Sequence, residues 1–485
     1  MIPNKEKFDL VNWEIVSVNP IDKNWRWTDL FCFWAVSIQS IIGFSLIASL
    51  YIVYDLNFFV VFFGGLFATL LTILFSNLIG IPSQKHGLPF PVILRTSVGL
   101  NGSRYISLLR GVVGIFMFGV QTFFLSKALV YLIRIFLFSQ EGNILDKDFF
   151  LVFFLGLNII DWISLIITFY IQFVLFSKGH KFVKSVINFS ACFVYFGLFL
   201  FLILVVGENF QPIINSIKLS LNFENFVSKS NILPLITVTG SLFAYFSILI
   251  LNFGDYSRYV KNKNELYKGN LSLILNFVLI SFFSIFIVTG SDIILAKNNI
   301  PLDNILTNPN DIIGKLNNTY LTIVVLIFIV VASASTNLIA NYIPSQNSII
   351  NLLPSKLSIK SSGIIIVIIS FIIGSFWLTL ISQIGILSFI DTLGAFFGPI
   401  FGTIIAEIYF VKNQDLNSKD LFNSKPESSY HYSNGWQIKG LYSLLLGFIF
   451  SASTIWNVNF MFLQSFSWII GAIISFITYY LLSNE

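Results

Sequence analysis

Phe33-Trp34-Ala35-Val36-Ser37-Ile38-Gln39-Ser40-Ile41-Ile42-Gly43-Phe44 forms the middle of an apolar run extending from Leu30 to Val53. A run of about 20 apolar residues is long enough to cross a bilayer as a helix. Lipid offers the backbone no hydrogen bonds, so only helices or closed barrels span it, and runs without strict alternation are helices. Here an amide, two hydroxyls and a glycine fall where the hydrocarbon is deepest. A helix interrupted at midplane is the usual place for a substrate or ion, although Ser and Gly also suit close approach of two helices.

The rest of the chain has the same character. Of 485 residues, 56% are apolar and 11% charged, under half the charge fraction of ordinary globular proteins, which excludes a soluble fold. Spans 1 to 6 are expected near Leu30–Val53, Phe58–Ile79, Tyr105–Phe136, Phe149–Phe176, Val186–Val206 and Leu233–Leu251. Spans 7 to 12 are expected near Leu271–Thr289, Tyr320–Ile343, Gly363–Leu380, Ile386–Phe410, Gly440–Trp456 and Ser467–Leu482. Residues 1–27 lack the short apolar core and cleavage site of a signal peptide. Cys32 and Cys192 lie in separate apolar runs, and their spacing suggests no disulfide framework.

The net charge of +5 comes from basic residues scattered over short loops, such as Lys178, Lys181, Lys184, Lys261, Lys263 and Lys268. With the N-terminus inside, Lys and Arg concentrate in cytoplasmic segments, which explains the charge by topology and argues against a nucleic-acid partner.

A second interrupted run, Thr237-Val238-Thr239-Gly240-Ser241-Leu242-Phe243-Ala244-Tyr245-Phe246-Ser247, lies in span 6, five spans after the first. Span 3 carries Gln121, and span 8, again five later, carries Ser335, Thr336, Asn337 and Asn341. An unpaired amide in hydrocarbon costs about 4–8 kcal/mol on the cyclohexane reference, so these groups face a ligand, water or another helix. Ala332, Ser335 and Thr336 share one helical face, and Asn337 and Asn341 share the adjacent one. Hydroxyls with nearby carbonyls suit a hard monovalent cation, and two amides offer donors and acceptors to a substrate.

Several motifs in order resemble the nucleobase:cation symporter 1 family, over most of the chain. They are Lys85-His86-Gly87-Leu88-Pro89-Phe90-Pro91-Val92-Ile93-Leu94-Arg95-Thr96-Ser97-Val98-Gly99, then Arg110 and Phe118-Gly119-Val120-Gln121-Thr122. Next come Asn252-Phe253-Gly254-Asp255-Tyr256-Ser257-Arg258-Tyr259, the span 8 stretch Ser335–Asn341, and Tyr430-His431-Tyr432-Ser433-Asn434-Gly435-Trp436.

The resemblance implies an all-α polytopic membrane protein of 12 helices, with a 5+5 inverted-repeat core and discontinuous helices 1 and 6. Its parts would be a cytoplasmic tail at 1–27, repeats at 28–206 and 207–411, and a cytoplasmic loop with spans 11 and 12 at 412–485. It implies a sodium site made by the carbonyls of Ala35, Ile38 and Ala332 and the hydroxyls of Ser335 and Thr336. Substrate groups would be Gln121, Asn341 and Gln39, with Asn337 beside them. The family usually holds the ring between two tryptophans. This chain has Met117 and Phe246 at those positions, and Tyr245 where a small residue is more common. Asp255 and Arg258 are expected to pair as a gate or loop anchor.

Among charged residues inside spans, Arg110, Arg134 and Glu407 are placed near span ends, where snorkelling suffices. Lys127 is expected to reach outer headgroups or face a vestibule; Asp161 is expected to pair with a basic group or relay protons, and Asp391 is unassigned. The implied activity is import of a nucleobase, allantoin or hydantoin-like heterocycle with sodium as coupling ion, no other cofactor, across the cell membrane with both termini cytoplasmic. Alternatives are a proton-coupled symporter, for example of a vitamin precursor, and a transport-inactive receptor. His86, His180 and His431 show no metal-ligand spacing and no nucleophile–base set emerges, so an enzyme is not expected. The oligomeric state is open.

Overall fold

Lipid-facing and buried sides of each apolar run separate cleanly in the computed structural model, which describes residues 10–484 except 55, 141, 143, 144, 146, 208, 222, 227, 298–304, 316–318, 384–391 and 393. Among the described residues, nine helices are long and apolar enough to cross a membrane. A tenth crossing is the pair Trp27–Ile38 and Ile41–Ile52, bent by 69° at span 1. Two shorter apolar helices, Ile359–Ser375 and Phe397–Val411, occupy the places of spans 9 and 10. Asp391 and the first residues of the expected span 10 lie outside the described residues.

The break in span 1 falls at Gln39 and Ser40, as its sequence suggests. Ser40 is extended, and its hydroxyl caps the second half by accepting from the Gly43 N–H. Span 6 behaves differently from expectation. Its helix runs unbroken over Ile232–Ile250 through Gly240, and the interruption lies below, at Leu251–Phe253 before the short helix Gly254–Ser257. Gly240 serves packing, since a Cβ there would lie 2.7 Å from the Ser465 side chain.

Span 4 also starts later than expected. Leu155 and Gly156 take positive φ and turn the chain. Asn158 and Asp161 then form a reciprocal cap, and the helix runs over Ile159–Phe176. Span 8 is one long apolar segment with a π-helical bulge at Leu338–Tyr342, immediately after Asn337.

Span 1 packs along span 7, and span 6 along span 2, the same pairing shifted by five. Span 3 runs along spans 8 and 9, while spans 10, 11 and 12 pack on one another. Two of the distant motifs meet. Gly99, at φ +83° with the Gly435 carbonyl 2.5 Å from where its Cβ would be, lets the 430–437 segment close on the start of span 3. There Val98 accepts from Gln437 N–H, Thr96 O accepts from the Tyr432 hydroxyl, and Trp436 stacks on Tyr105.

The basic face of the bundle is covered by the segment 10–25. Asn12 donates to the Pro354 and Leu357 carbonyls, Val18 N–H to Gly87 O, and Trp25 N–H to Tyr259 O. Leu10, Ile15 and Trp25 are buried there.

The contact between spans 2 and 7 is close enough to test. A Cβ on Gly65 would lie 2.0 Å from the Phe277 ring, whereas Gly314 has nothing within 4 Å. Gly65→Ala should lower stability by about 1–3 kcal/mol. Gly314→Ala should be neutral or raise it slightly. Melting of the detergent-purified variants checks both; equal behaviour would contradict the packing described.

Candidate functional site

Three features, two polar constellations and a cavity, gather around spans 1, 3, 6 and 8. The first is at the break in span 1. Thr336 Oγ1 lies 2.7 Å from the Val36 carbonyl and 3.0 Å from that of Ala332. Ser335 Oγ lies 2.8 Å from Val331 O and 3.0 Å from Ala332 O. The structure thus brings Ala332, Ser335 and Thr336 together as expected, and Thr336 crosses to span 1 beside Ala35 and Ile38. It does so at Val36, a carbonyl that sequence reasoning passed over. The donor set is all oxygen and without fixed charge, which matches a hard monovalent cation.

Tyr245 fills the break from the span 6 side. Its hydroxyl donates to the Ser37 carbonyl at 2.8 Å and lies 2.8 Å from Ser40 Oγ. Gly43 makes room, since a Cβ there would sit 2.7 Å from that hydroxyl.

The second constellation is a chain of amides. Asn341 Nδ2 donates to Gln121 Oε1 at 2.9 Å and to Asn337 Oδ1 at 2.8 Å. Asn337 Nδ2 continues to Thr122 Oγ1 at 3.0 Å and Gln172 Oε1 at 3.1 Å. Gln172 in turn donates to Thr122 Oγ1 at 3.0 Å. Gln121, Asn337 and Asn341 are therefore one network, satisfied within the protein. Gln172 and Thr122 were missed, although an amide in the middle of span 4 meets the same criterion that singled out Gln121. Ser164, Thr168 and Gln172 recur every four residues, and all three are buried.

The third is a cavity of about 460 Å³ lined by Met117 with Ser241, Ala244 and Ser247 of span 6, Phe397 of span 10 and Trp468 of span 12. Met117 faces this space. Phe246 is fully buried, edge-on to Tyr245. Gln39 points elsewhere. Its amide lies 3.5 Å from the Ala191 carbonyl on span 5, and it lines a small cavity of about 40 Å³ with Phe44, Phe201 and Ala332.

Charged groups correct several expectations. Arg110 and Glu407 do not snorkel; both are buried. Glu407 accepts from the Tyr479 hydroxyl at 2.8 Å and from Tyr432 at 3.2 Å. Lys127, partly exposed, pairs with Asp161 at 2.8 Å, which gives Asp161 the basic partner considered for it. Arg134 is partly exposed.

Asp255 and Arg258 form separate anchors in place of the expected pair. Asp255 accepts from Phe90 N–H at 3.0 Å and from Asn252 at 3.1 Å. Burial pushes its carboxyl up to about 6, with Arg258 and these hydrogen bonds offsetting part of the effect. Arg258 donates to the Glu14 carbonyl at 3.0 Å and lies 3.2 Å from His180. The two residues are three apart on a single short turn, and each is drawn to a different loop.

Comparison with known proteins fits this architecture. The sequence pattern described as "Permease for cytosine/purines, uracil, thiamine, allantoin" matches residues 18–473. An allantoin permease of Bacillus subtilis is 25% identical over 98% of this chain and 93% of its own length. A purine-uracil permease of Arabidopsis thaliana is 22% identical over 92% of this chain and 72% of its own. The fold matches that of Mhp1, a nucleobase-cation-symport-1 transporter solved in a closed conformation with bromovinylhydantoin bound. The TM-score is 0.70 at 16% identity, covering 99% of this chain and 95% of Mhp1. With its broken first span, its buried amide chain and a pattern match over nearly its whole length, the chain belongs to the nucleobase:cation symporter 1 family of multi-pass membrane permeases.

Proposed function

We propose that this permease imports a small nitrogen heterocycle of nucleobase, allantoin or hydantoin type by sodium symport and alternating access. The observation that carries the reading is the amide chain Gln121–Asn341–Asn337, placed directly beside the hydroxyls that tie span 8 to the broken span 1.

A lactam or ureide edge presents N–H next to C=O, and a carboxamide matches it with acceptor and donor together. The amides are already paired, so a substrate exchanges one set of hydrogen bonds for another and leaves no buried group unmet. Phe246 supplies an aromatic face. Met117 lines the adjoining cavity with a thioether whose contact with a ring is worth about 0.3–1.5 kcal/mol. Sodium takes the oxygens of Ser335, Thr336 and Ala332 with the span 1 carbonyls at Ala35 and Ile38, and Gln39, at the break in span 1, borders that site with its amide turned toward Ala191 of span 5.

In this reading all twelve segments cross the cell membrane, spans 1–5 and 6–10 form two inverted repeats at 28–206 and 207–411, and the basic face with both termini is cytoplasmic. The pairing of span 1 with 7 and of span 6 with 2 supports the repeat. Binding from outside, closure and rocking of one helix group against the other complete the cycle. A membrane potential contributes about 2.3 kcal/mol per charge per 100 mV, so one sodium entering with a neutral ring concentrates it about fiftyfold.

Uptake of labelled uracil, cytosine, allantoin, a hydantoin and thiamine into proteoliposomes tests this, with and without an inward sodium gradient. One compound should accumulate only with sodium, and Thr336→Ala should reduce that at least tenfold. Uptake driven by protons alone would refute the ion site, and no uptake of any ring would refute the transport reading. For the compound transported, Gln121→Ala should raise KM about tenfold or more, since a buried group left unpaired costs about 1–3 kcal/mol. An unchanged KM would remove Gln121 from the substrate site.

A further inference from the structure

A π-bulge widens a helix and takes its carbonyls out of the regular ladder, and such bulges concentrate at functional sites. The bulge at Leu338–Tyr342 contains Asn341 and begins just after Asn337. Two of its carbonyls accept side-chain donors from other elements. Arg110 Nη2, on span 3, donates to Ala340 O at 2.5 Å. The Tyr256 hydroxyl, on the turn below span 6, donates to Ile339 O at 2.7 Å.

Neither donor is there by accident of the surface. Arg110 is fully buried; its guanidinium lies over the Phe397 ring at 5.5 Å, and its Nε and Nη1 have no hydrogen-bond partner among the described residues. A cation left so incompletely satisfied inside a membrane bundle calls for a functional account. Gly114 lies between it and Asn341, with Arg110 Nη1 3.0 Å and the Asn341 carbonyl 2.8 Å from the position of an added Cβ. Tyr256 is buried, with its ring 4.7 Å from Phe33 of span 1 and 6.3 Å from Trp25 of the segment covering the basic face. Its neighbour Asp255 holds the Phe90 N–H in the loop between spans 2 and 3.

We infer that Arg110 and Tyr256 are positioning residues for transport: they grip the bulge of span 8 by its Ile339 and Ala340 carbonyls and so hold Asn337 and Asn341 turned toward Gln121 only while the basic face is closed. Any movement that opens that face separates Tyr256, which is packed on span 1 and the N-terminal segment, from span 8. Release of Ile339 frees the bulge to relax toward a regular helix, and a shift of one residue in register turns Asn341 away from Gln121. The substrate amides and the inner closure are thereby one mechanical unit. This rests on the reading of those amides as the substrate site.

The test places a single thiol below the bulge. Ser345 is fully buried and donates to the carbonyls of Gly111 and Asn341, so Ser345→Cys in a background with Cys32→Ala and Cys192→Ser reacts only when the path to the basic face opens. Labelling by a membrane-impermeant maleimide is followed in inside-out vesicles, without sodium or substrate. Tyr256→Phe, which removes one oxygen, should raise the labelling rate about fivefold, equivalent to ~1 kcal/mol at 1.4 kcal/mol per tenfold. Arg110→Lys should shift it in the same direction, since an ammonium cannot hold both the Ala340 carbonyl and the Phe397 face.

A merely structural role would lower the melting temperature and leave the labelling rate alone. Rates within twofold of the parent in whichever variant folds, or slower than the parent, would overturn the inference. Because no substrate is present, failure of heterocycle uptake by the parent would sink the transport reading separately.

Discussion

Every peptide group that leaves the regular helical ladder inside a bilayer must find a partner from its own protein, and this constraint organises the molecule. The carbonyls of Val36 and Ser37, at the break in span 1, are met by Thr336 from span 8 and Tyr245 from span 6. Those of Ile339 and Ala340, in the bulge of span 8, are met by Tyr256 and Arg110. Four side chains from different elements therefore hold the irregular backbone in place. Where the ladder is interrupted, the helices are tied together.

This arrangement connects fold to transport. A helix that satisfies its own backbone can move as a rigid rod, but a broken one moves only by exchanging partners. Thr336 joins span 8 to span 1, and Tyr245 joins span 6 to the same break. An ion that takes over the Thr336 hydroxyl and the span 1 carbonyls would replace direct hydrogen bonds by coordination, changing the balance between two arrangements of the same groups. A ligand shifts such a balance only through contacts that differ between states.

How much of this the sequence discloses depends on what each signal measures. Spans 11 and 12 are found as expected, near Gly440 and at Ser467, because uninterrupted apolar runs end where polar residues begin. The break at Gln39 and Ser40 is legible because polar groups in hydrocarbon need a reason. The same logic reveals Gln121, Asn337 and Asn341. It fails for direction. Arg110 and Glu407 lie near span ends along the chain, but position along a helix does not tell which side faces the protein. Asp255 and Arg258 look like a pair at three residues' spacing, yet the folded loops offer each a better partner. Span 4 begins late because the Leu155–Gly156 turn and the Asn158 cap are local signals that an apolar window averages away.

On the proposed reading, Met117 and Phe246 at the positions where the family usually has tryptophans shift recognition from stacking toward hydrogen bonding. A tryptophan pair would grip almost any flat ring, since every ring has two faces. On the proposed reading, Met117 and Phe246 in place of that pair make the apolar grip weaker and more adaptable, and discrimination falls to the amide chain. Hydrophobic pockets separate ligands differing by one methylene by only about 1–3 kcal/mol, whereas a site built to pair with an N–H or C=O rejects an analogue lacking it by about 10⁴–10⁵. On the proposed reading, such a pocket selects by the pattern of donors and acceptors along the substrate edge more than by ring size. The hydrogen-bonded network of Gln121, Asn341, Asn337, Thr122 and Gln172 is suited to that task, because a ligand that cannot replace the hydrogen bonds it displaces leaves an amide unmet in the membrane interior.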